Sequence, residues 1–530
     1  MPFRKTEPAN CESQVATLRP PLVSFESEQE ANWEDREKFP TEKACHEISC
    51  NSVHNSIGEK LPQSNCIITW DGTTDPENPH NWTWKRKFAT TILVSLFTFL
   101  STFTSTMVTP VLGEIGDQFN IPEGFSRQLV MSIFLLGYTQ GPFILAPLSE
   151  IYGRVTVLQS ANLIYLVFNT ACGFARTKNQ ILVFRFLSGI GGSAPQALCN
   201  GVLADTWPKE ERGKGQAVYG LFTWLGPCIA PICGAYISSR TTWRWTFWST
   251  SLVDVAVQIL ALVFLNETFA PIILGRKAKR LSKQLGHPFR TEYDSDERFT
   301  KILRKRLMLP LIMMFTHPAV QAPSIYLAYM YGVLFLVLST FPLVWENSYH
   351  QSKQIASFNY LSLCVGLIIG LQISHRLMDW LYAYLKARKN LTSGVPEFRV
   401  PPMLLGGILC PIGLLIYGWT VQHNIHWIVP NIGCVILAIG LIIAFQCAQA
   451  YVVDAYDANY VASAAVVGVI ERILCGFSFP LFATQMYGRL GLGWGNTLLA
   501  FVTLVLAMLG PVLLWFFGAR IRALSTRGLN

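Results

Sequence analysis

Four ionisable side chains stand inside long apolar runs: Arg185, Asp254 and the adjacent pair Glu471 and Arg472. A charge in such a setting is costly to keep, so it marks a site of proton coupling or a structural pair. Glu471 falls about eight residues into its run. A carboxyl group held there suits reversible protonation; the alternative is a structural pair with a neighbour. Arg185 lies about one turn into its run and is followed by Ser188-Gly189-Ile190-Gly191-Gly192-Ser193. It either acts within the apolar layer or snorkels to its edge, while the small residues after it allow close helix contact. A second set of charges occupies a short polar break, Ala146-Pro147-Leu148-Ser149-Glu150-Ile151-Tyr152-Gly153-Arg154. A carboxylate four residues ahead of an arginine, with glycine between them, suits a tight turn that holds an ion pair or sets an anion at a helix N-terminus.

The elements that must position these groups follow from composition. The chain has 530 residues, 51% hydrophobic and 14% charged, against about 25% charged in soluble domains, and its mean hydropathy is +0.33. These values exclude a disordered chain, a coiled coil and an ordinary soluble enzyme. The apolar runs predict twelve membrane-spanning helices at roughly 88–112, 126–148, 155–175, 181–204, 215–238, 244–266, 319–343, 355–377, 402–421, 427–451, 463–486 and 494–517, each near the ~20 residues that cross a bilayer. The fold class is therefore an all-α polytopic membrane protein. Segment 268–318 is a basic linker that divides the spans six and six, as in carriers built from pseudo-symmetric halves with a site between them. Within it, Phe299 to Phe315 reads either as an amphipathic helix on the membrane surface or as a solvated basic linker.

The net charge of +9 resolves by position. Residues 1–84 carry fourteen Asp/Glu against seven Lys/Arg and read as an acidic disordered tail. No cleavable leader is evident, so the first span is expected to direct insertion. With the N-terminus inside, the inner loops, including a short basic tail at 518–530, hold 26 Lys/Arg and the outer loops seven. The positive-inside rule then predicts both termini in the cytoplasm, most simply at the plasma membrane, with anionic lipid and not nucleic acid as the partner of the basic loops. The sequons at Asn81, Asn266 and Asn390 fall on that inner side. Nine of the thirteen cysteines lie in or near spans and act as small hydrophobes. Cys11, Cys45, Cys50 and Cys66 of the tail read as unpaired thiols, with Cys45-His46 near Cys50 as a faint metal-like spacing.

No GxxxxGK[ST] loop, HExxH pair or GxSxG elbow is present, so neither nucleotide-driven pumping nor hydrolase chemistry is expected. Transport powered by an ion gradient remains, with no cofactor. The fifth span carries Gly226-Pro227-Cys228-Ile229-Ala230-Pro231-Ile232-Cys233-Gly234-Ala235, a bent helix with a flat face suited to tight packing.

The loop string, Arg185 on the fourth span and this fifth-span string, in that order, resemble the signatures of the major facilitator superfamily, specifically the fungal twelve-span drug:proton antiporters. Supporting strings are Asn81-Trp82, Leu203-Ala204-Asp205-Thr206-Trp207-Pro208-Lys209-Glu210-Glu211-Arg212-Gly213, Trp243-Arg244-Trp245, Glu267-Thr268-Phe269-Ala270-Pro271, Phe341-Pro342-Leu343-Val344, Tyr451-Val452-Val453-Asp454-Ala455-Tyr456 and Phe479-Pro480-Leu481-Phe482. Together they cover about residues 78 to 517. Ala146 stands where that loop signature opens with Gly, Val155 where a second basic residue follows, and Ala230 and Ala235 replace two glycines of the fifth-span signature.

The resemblance implies two six-helix bundles (85–267 and 319–517) and a charge latch made by Glu150, Arg154 and Asp205. It implies that Arg185 takes part in coupling protons to substrate, and that Gly226, Pro227, Pro231 and Gly234 belong to the antiporter helix. It also places the first, fourth, seventh and tenth spans around a cavity. On those helices Gln196, Asn200, Tyr326, Tyr329, Gln446 and Gln449 are the candidate polar lining, each with an interhelical hydrogen bond as its alternative role. The first-span hydroxyls of Ser101, Thr102, Thr104, Ser105 and Thr106 either line that cavity or bond back to helix carbonyls. An aromatic-rich pocket with few polar groups favours an amphipathic organic substrate. The expected activity is a monomeric, proton-coupled exporter of a hydrophobic or amphipathic small molecule, such as a fungal secondary metabolite, toxin or xenobiotic. The alternatives are a polyamine or nutrient transporter of the same fold, a transporter-like receptor, and, last, a membrane enzyme. A polycation path calls for several midplane carboxylates, and here only Asp254 and Glu471 qualify.

Overall fold

Apolar runs of this length satisfy their backbone polar groups inside lipid only as helices, and the computed structural model is helical throughout its apolar part. It describes residues 67–72, 74–208, 211–285, 289–293, 299–390, 394–456 and 458–526. The tail up to residue 66 with its four cysteines, and Lys209 and Glu210, lie outside the described residues.

Among the described residues, ten helices are long and apolar enough to cross a membrane. Twelve spans emerge once two irregular places are read physically. The fourth span is two shorter helices, Lys178–Gly192 and Ala194–Thr206, parted at Ser193. Pro195 in the first turn of the second piece cannot donate to the preceding ladder, so the break falls there. The last two spans run together as Ala458–Thr526, interrupted only at Gly491, whose φ of 75° and ψ of 170° turn the chain. The other spans are Trp84–Met107, Phe125–Tyr152, Arg154–Gly173, Arg212–Arg240, Arg244–Phe264, Pro318–Leu343, Tyr360–Arg388, Val400–Gln422 and Ile428–Asp454. Trp84 and Thr526 lie on one side of the bundle, here the tail face; the opposite side is the far face.

The two halves repeat one packing plan. In the first, span one packs on five, two on four, and three on four and six; in the second, seven packs on eleven, eight on ten, and nine on ten and twelve. Close approach needs missing side chains. A Cβ on Gly226 would stand 2.3 Å from the Thr102 hydroxyl and 3.0 Å from the Phe99 carbonyl, and one on Gly234 would stand 2.4 Å from the Met107 carbonyl. The fifth-span glycines therefore set the contact with the first span, reinforced where the Thr106 hydroxyl donates to the Pro227 carbonyl at 3.1 Å. Across the halves, the second span meets the eleventh and the fifth meets the eighth.

The basic linker is more structured than a solvated chain. It forms helices Ala270–Leu285 and Phe299–Thr316. The second leaves Met308, Leu311, Ile312 and Phe315 exposed, an apolar surface suited to lipid. Arg290–Thr291 pairs in parallel with Ile67–Ile68 ahead of the first span. Lys277 of the first linker helix meets Asp71 at 2.7 Å and Asp75 at 3.5 Å. The segment before the first span is thereby strapped to the linker.

Candidate functional site

Gly153 ends the second span with φ 101°, a conformation that favours glycine, and aims Arg154 into the first half. Arg154 Nε stands 3.4 Å from Asp205 Oδ2, and its Nη1 donates to the Ser149 hydroxyl at 2.9 Å. Its guanidinium lies 4.7 Å from the centre of the Phe269 ring. Gly201 leaves room for it, because a Cβ there would fall 2.8 Å from the guanidinium carbon. Glu150 sits half-buried in the last turn of the second span. A second carboxylate reaches the same turn. Glu267, beyond the sixth span, accepts from the backbone amides of Arg154 at 2.9 Å and Val155 at 3.3 Å. Its carboxylate caps the positive end of the third-span helix. Glu267 appeared in the sequence only as part of a family string; more than a hundred residues separate it from the amides it caps.

The second half builds a counterpart that sequence reasoning missed. Arg399, just ahead of the ninth span, meets Asp454 at the end of the tenth at 2.9 Å and Asp379 at 4.0 Å, under the ring of Tyr382 at 4.4 Å. Glu397 pairs with Arg522 near the end of the twelfth-span helix. The signal lay in the repeat: Arg399 and Asp454 occupy in the second half the places that Arg154 and Asp205 hold in the first.

Arg185 is fully buried. It donates to the carbonyls of Val130 (3.3 Å), Thr104 (3.1 Å), Ser105 (3.4 Å) and Met131 (3.3 Å), between the rings of Phe134 and Phe247. It does not snorkel, and it ties the first, second and fourth spans together. Asp254 is equally buried, and the Asn162 amide donates to both its oxygens at 3.2 and 3.1 Å. That places it between the third and sixth spans, inside the first half. Most of the first-span hydroxyls bond back to their own helix: Ser101 to the Phe97 carbonyl, Thr102 to Thr98 and Ser105 to Thr102. Thr104 meets the Tyr165 hydroxyl at 2.6 Å, and Thr106 reaches the fifth span.

The candidate lining residues divide. Tyr326 is buried, with its hydroxyl 3.5 Å from the Met403 carbonyl, and Tyr329 donates to the Leu499 carbonyl at 2.8 Å. Both hydroxyls are engaged within the second half. Asn200 is exposed and accepts from Gln216 at 3.3 Å, while Gln196, Gln446 and Gln449 are half-buried. All four lie on the tail-face side of their spans, where exposed amides at membrane depth require water.

Where the halves meet near mid-depth, Arg472 lies with its guanidinium 5.1 Å from the Phe445 ring centre and 5.8 Å from that of Tyr331. Trp224 of the fifth span packs on both rings, at 5.0 and 6.5 Å. Glu471 is half-buried beside Arg472, and its Oε2 has no hydrogen-bond partner. The sequence singled out the two charges but not the rings, because Trp224, Tyr331 and Phe445 are ordinary span residues until four helices bring them together. From this depth outward the halves join: Leu135 and Tyr138 pack with Phe335 and Ile473, and Lys353 reaches Glu114 across the far face at 2.6 Å. A shallow cleft between the fifth and eighth spans, lined by Leu221, Trp224, Leu225, Cys364, Leu367, Ile368 and Leu371, opens beside the rings.

A family model described as Major Facilitator Superfamily matches residues 94–477. An efflux pump of Penicillium aethiopicum, vrtL, is 44% identical over 459 residues, covering 87% of this chain and 91% of that protein. An uncharacterized transporter of Schizosaccharomyces pombe is 43% identical over 462 residues, covering 87% and 94%. The MFS-type transporter penM of Penicillium rubens is 39% identical over 465 residues, covering 88% and 91%. Among solved structures, the proton:xylose symporter XylE superposes with a TM-score of 0.61 at 15% identity, over 82% of this chain and 96% of that one.

Proposed function

Because the chain belongs to the Major Facilitator Superfamily, we propose that it is a proton-coupled exporter that carries a hydrophobic or amphipathic small molecule out of the cell by alternating access. The observation that carries this reading is the uneven junction of the halves. Their apolar contacts and the Lys353–Glu114 pair lie from mid-depth to the far face. The charge latches Arg154–Asp205 and Arg399–Asp454 each close within one half on the tail face. Rocking the halves then opens the far face without dismantling either bundle. The tail face is the cytoplasmic one, on the weight of basic residues in its loops, and the membrane is the plasma membrane. An efflux role accords with the relative from Penicillium aethiopicum, itself called an efflux pump.

In this scheme the proton gradient supplies the energy and no cofactor or catalytic chemistry is needed. Glu471 carries the proton at the depth where the halves meet. Asp254 serves as a second acid behind it, and Arg185 transmits the charge change to the three spans it ties. Glu150, Arg154 and Asp205 latch the cytoplasmic side. Gln196, Asn200, Gln446 and Gln449 wet the path from the cytoplasm to the aromatic cluster, and the carrier works as a monomer.

The test is retention of a panel of hydrophobic compounds in a drug-sensitive yeast that expresses the chain, with and without a protonophore. Lower retention of at least one compound, abolished by the protonophore, is expected. Unchanged retention across the panel overturns export. Glu471→Gln in vesicles should uncouple flux from the proton gradient, and unaltered coupling removes Glu471 from its role.

A further inference from the structure

Arg472 has a surround that proton carriage leaves unused. It is 8% exposed, near the middle of the eleventh span. Its Nε has no hydrogen-bond partner, and no carboxylate among the described residues pairs with it. The contrast with Arg185, whose guanidinium is satisfied by four carbonyls, is direct. The rings of Phe445 and Tyr331 stand beside the Arg472 guanidinium, and Trp224 closes the group from the other half. The hydroxyl of Tyr138, on the second span, is also buried without a partner.

We propose that this cluster is the anchoring subsite for the exported molecule, and that the molecule is an organic anion: an aromatic or conjugated body bearing one carboxylate or an equally acidic enol or phenol. The assignment rests on the export reading and narrows its substrate class. A buried guanidinium without a counter-charge is an unfinished interaction, and a planar oxyanion completes it through paired N–H donors. Ring faces supply the apolar walls a conjugated body needs. A cation meets like charge at Arg472, and a neutral molecule leaves the guanidinium unpaired. Trp224 and Tyr138 come from the first half, and Arg472, Tyr331 and Phe445 from the second. An anion seated among them contacts both halves at the depth where they meet, as a carrier site must.

The experiment uses the full chain, purified in lipid nanodiscs near neutral pH, with three probes of one shape: 2-naphthoate, 2-naphthamide and 2-naphthylmethylammonium. Affinity is read by calorimetry and by the ligand-dependent rise in melting temperature. Naphthoate should bind about tenfold or more tightly than naphthamide, the ammonium most weakly, and Arg472→Gln should erase that order while leaving naphthamide binding within about twofold. Where the Gln variant fails to melt cooperatively, Arg472→Lys decides. It keeps the charge but not the fork, and should weaken naphthoate several-fold with little change for naphthamide. Equal binding of the three probes, no binding of naphthoate, or a preference for naphthoate that survives both substitutions overturns the proposal. Such a result leaves the retention assay free to show export of a neutral or cationic compound, so the two readings fail separately.

Discussion

Gly153 holds φ at 101°, and a Cβ there would land 2.3 Å from Glu267 Oε2. Gly153→Ala must therefore strain the turn and push away the carboxylate that caps the third-span helix. A loss of about 1–3 kcal/mol is expected, read as a lower melting temperature of the purified protein, and Glu267→Gln should give part of the same loss. A melting curve for Gly153→Ala that matches the parent would refute this account of the latch. Asp75 offers a second test at this scale. Its burial alone would raise its pKa, but the amides of Asp71 and Glu77 and the Lys277 ammonium outweigh that and hold it below the usual carboxylate value. A carboxyl lowered on docking stabilises the strap above its ordinary pKa, and that contribution disappears as pH falls through the lowered one. Hydrogen exchange across 67–82 should stay slow as pH drops to about 4 and quicken only below it; Asp75→Asn should quicken it at neutral pH. Exchange that does not respond to Asp75→Asn would remove the carboxylate from the strap.

Elements that join the halves carry the next prediction. The Lys353–Glu114 pair ties the helix Leu112–Gln118, after the first span, to the helix Lys353–Phe358, before the eighth. Lys353→Glu sets two carboxylates face to face, and the double exchange with Glu114→Lys restores attraction. A cysteine replacing Phe335, on a background without other thiols, should react about two- to fivefold faster with an impermeant maleimide in the single variant and return toward the parent rate in the double. Equal rates in all three would mean that the pair does not hold the far face shut. At this scale the sequence was legible where a helix announces itself through a long apolar run. Nine of the spans needed nothing more, and the glycines of the fifth span already indicated tight packing. It was less legible where function lives in a break. The division of the fourth span at Ser193 is a local backbone event inside a continuous apolar run. The continuation through Gly491 hides a turn between two spans that hydropathy separates by only a few polar residues. The carbonyl cage around Arg185 draws on two other spans, so no window of sequence contains it, and Tyr326 and Tyr329 turned inward because their partners lie on the ninth and twelfth spans.

For the whole molecule, the proposed orientation predicts that tags at either end stay protected in intact cells, while a cysteine at Asn347 or His350 on the far face is labelled by an impermeant reagent. Labelling of the tails in unpermeabilised cells would reverse the assignment and turn the proposed exporter into an importer. The strap also has a consequence for how the chain is made. Ile67–Ile68 cannot pair with Arg290–Thr291, nor can Asp71 and Asp75 meet Lys277, until the sixth span and the linker have left the ribosome. The roughly 220 residues between the two strands take about ten seconds or longer to synthesise. During that interval the segment ahead of the first span has no fixed place to dock. Its docking therefore records completion of the first half, and a ribosome stalled before the linker would display this segment to proteases and chaperones as the mark of an unfinished carrier.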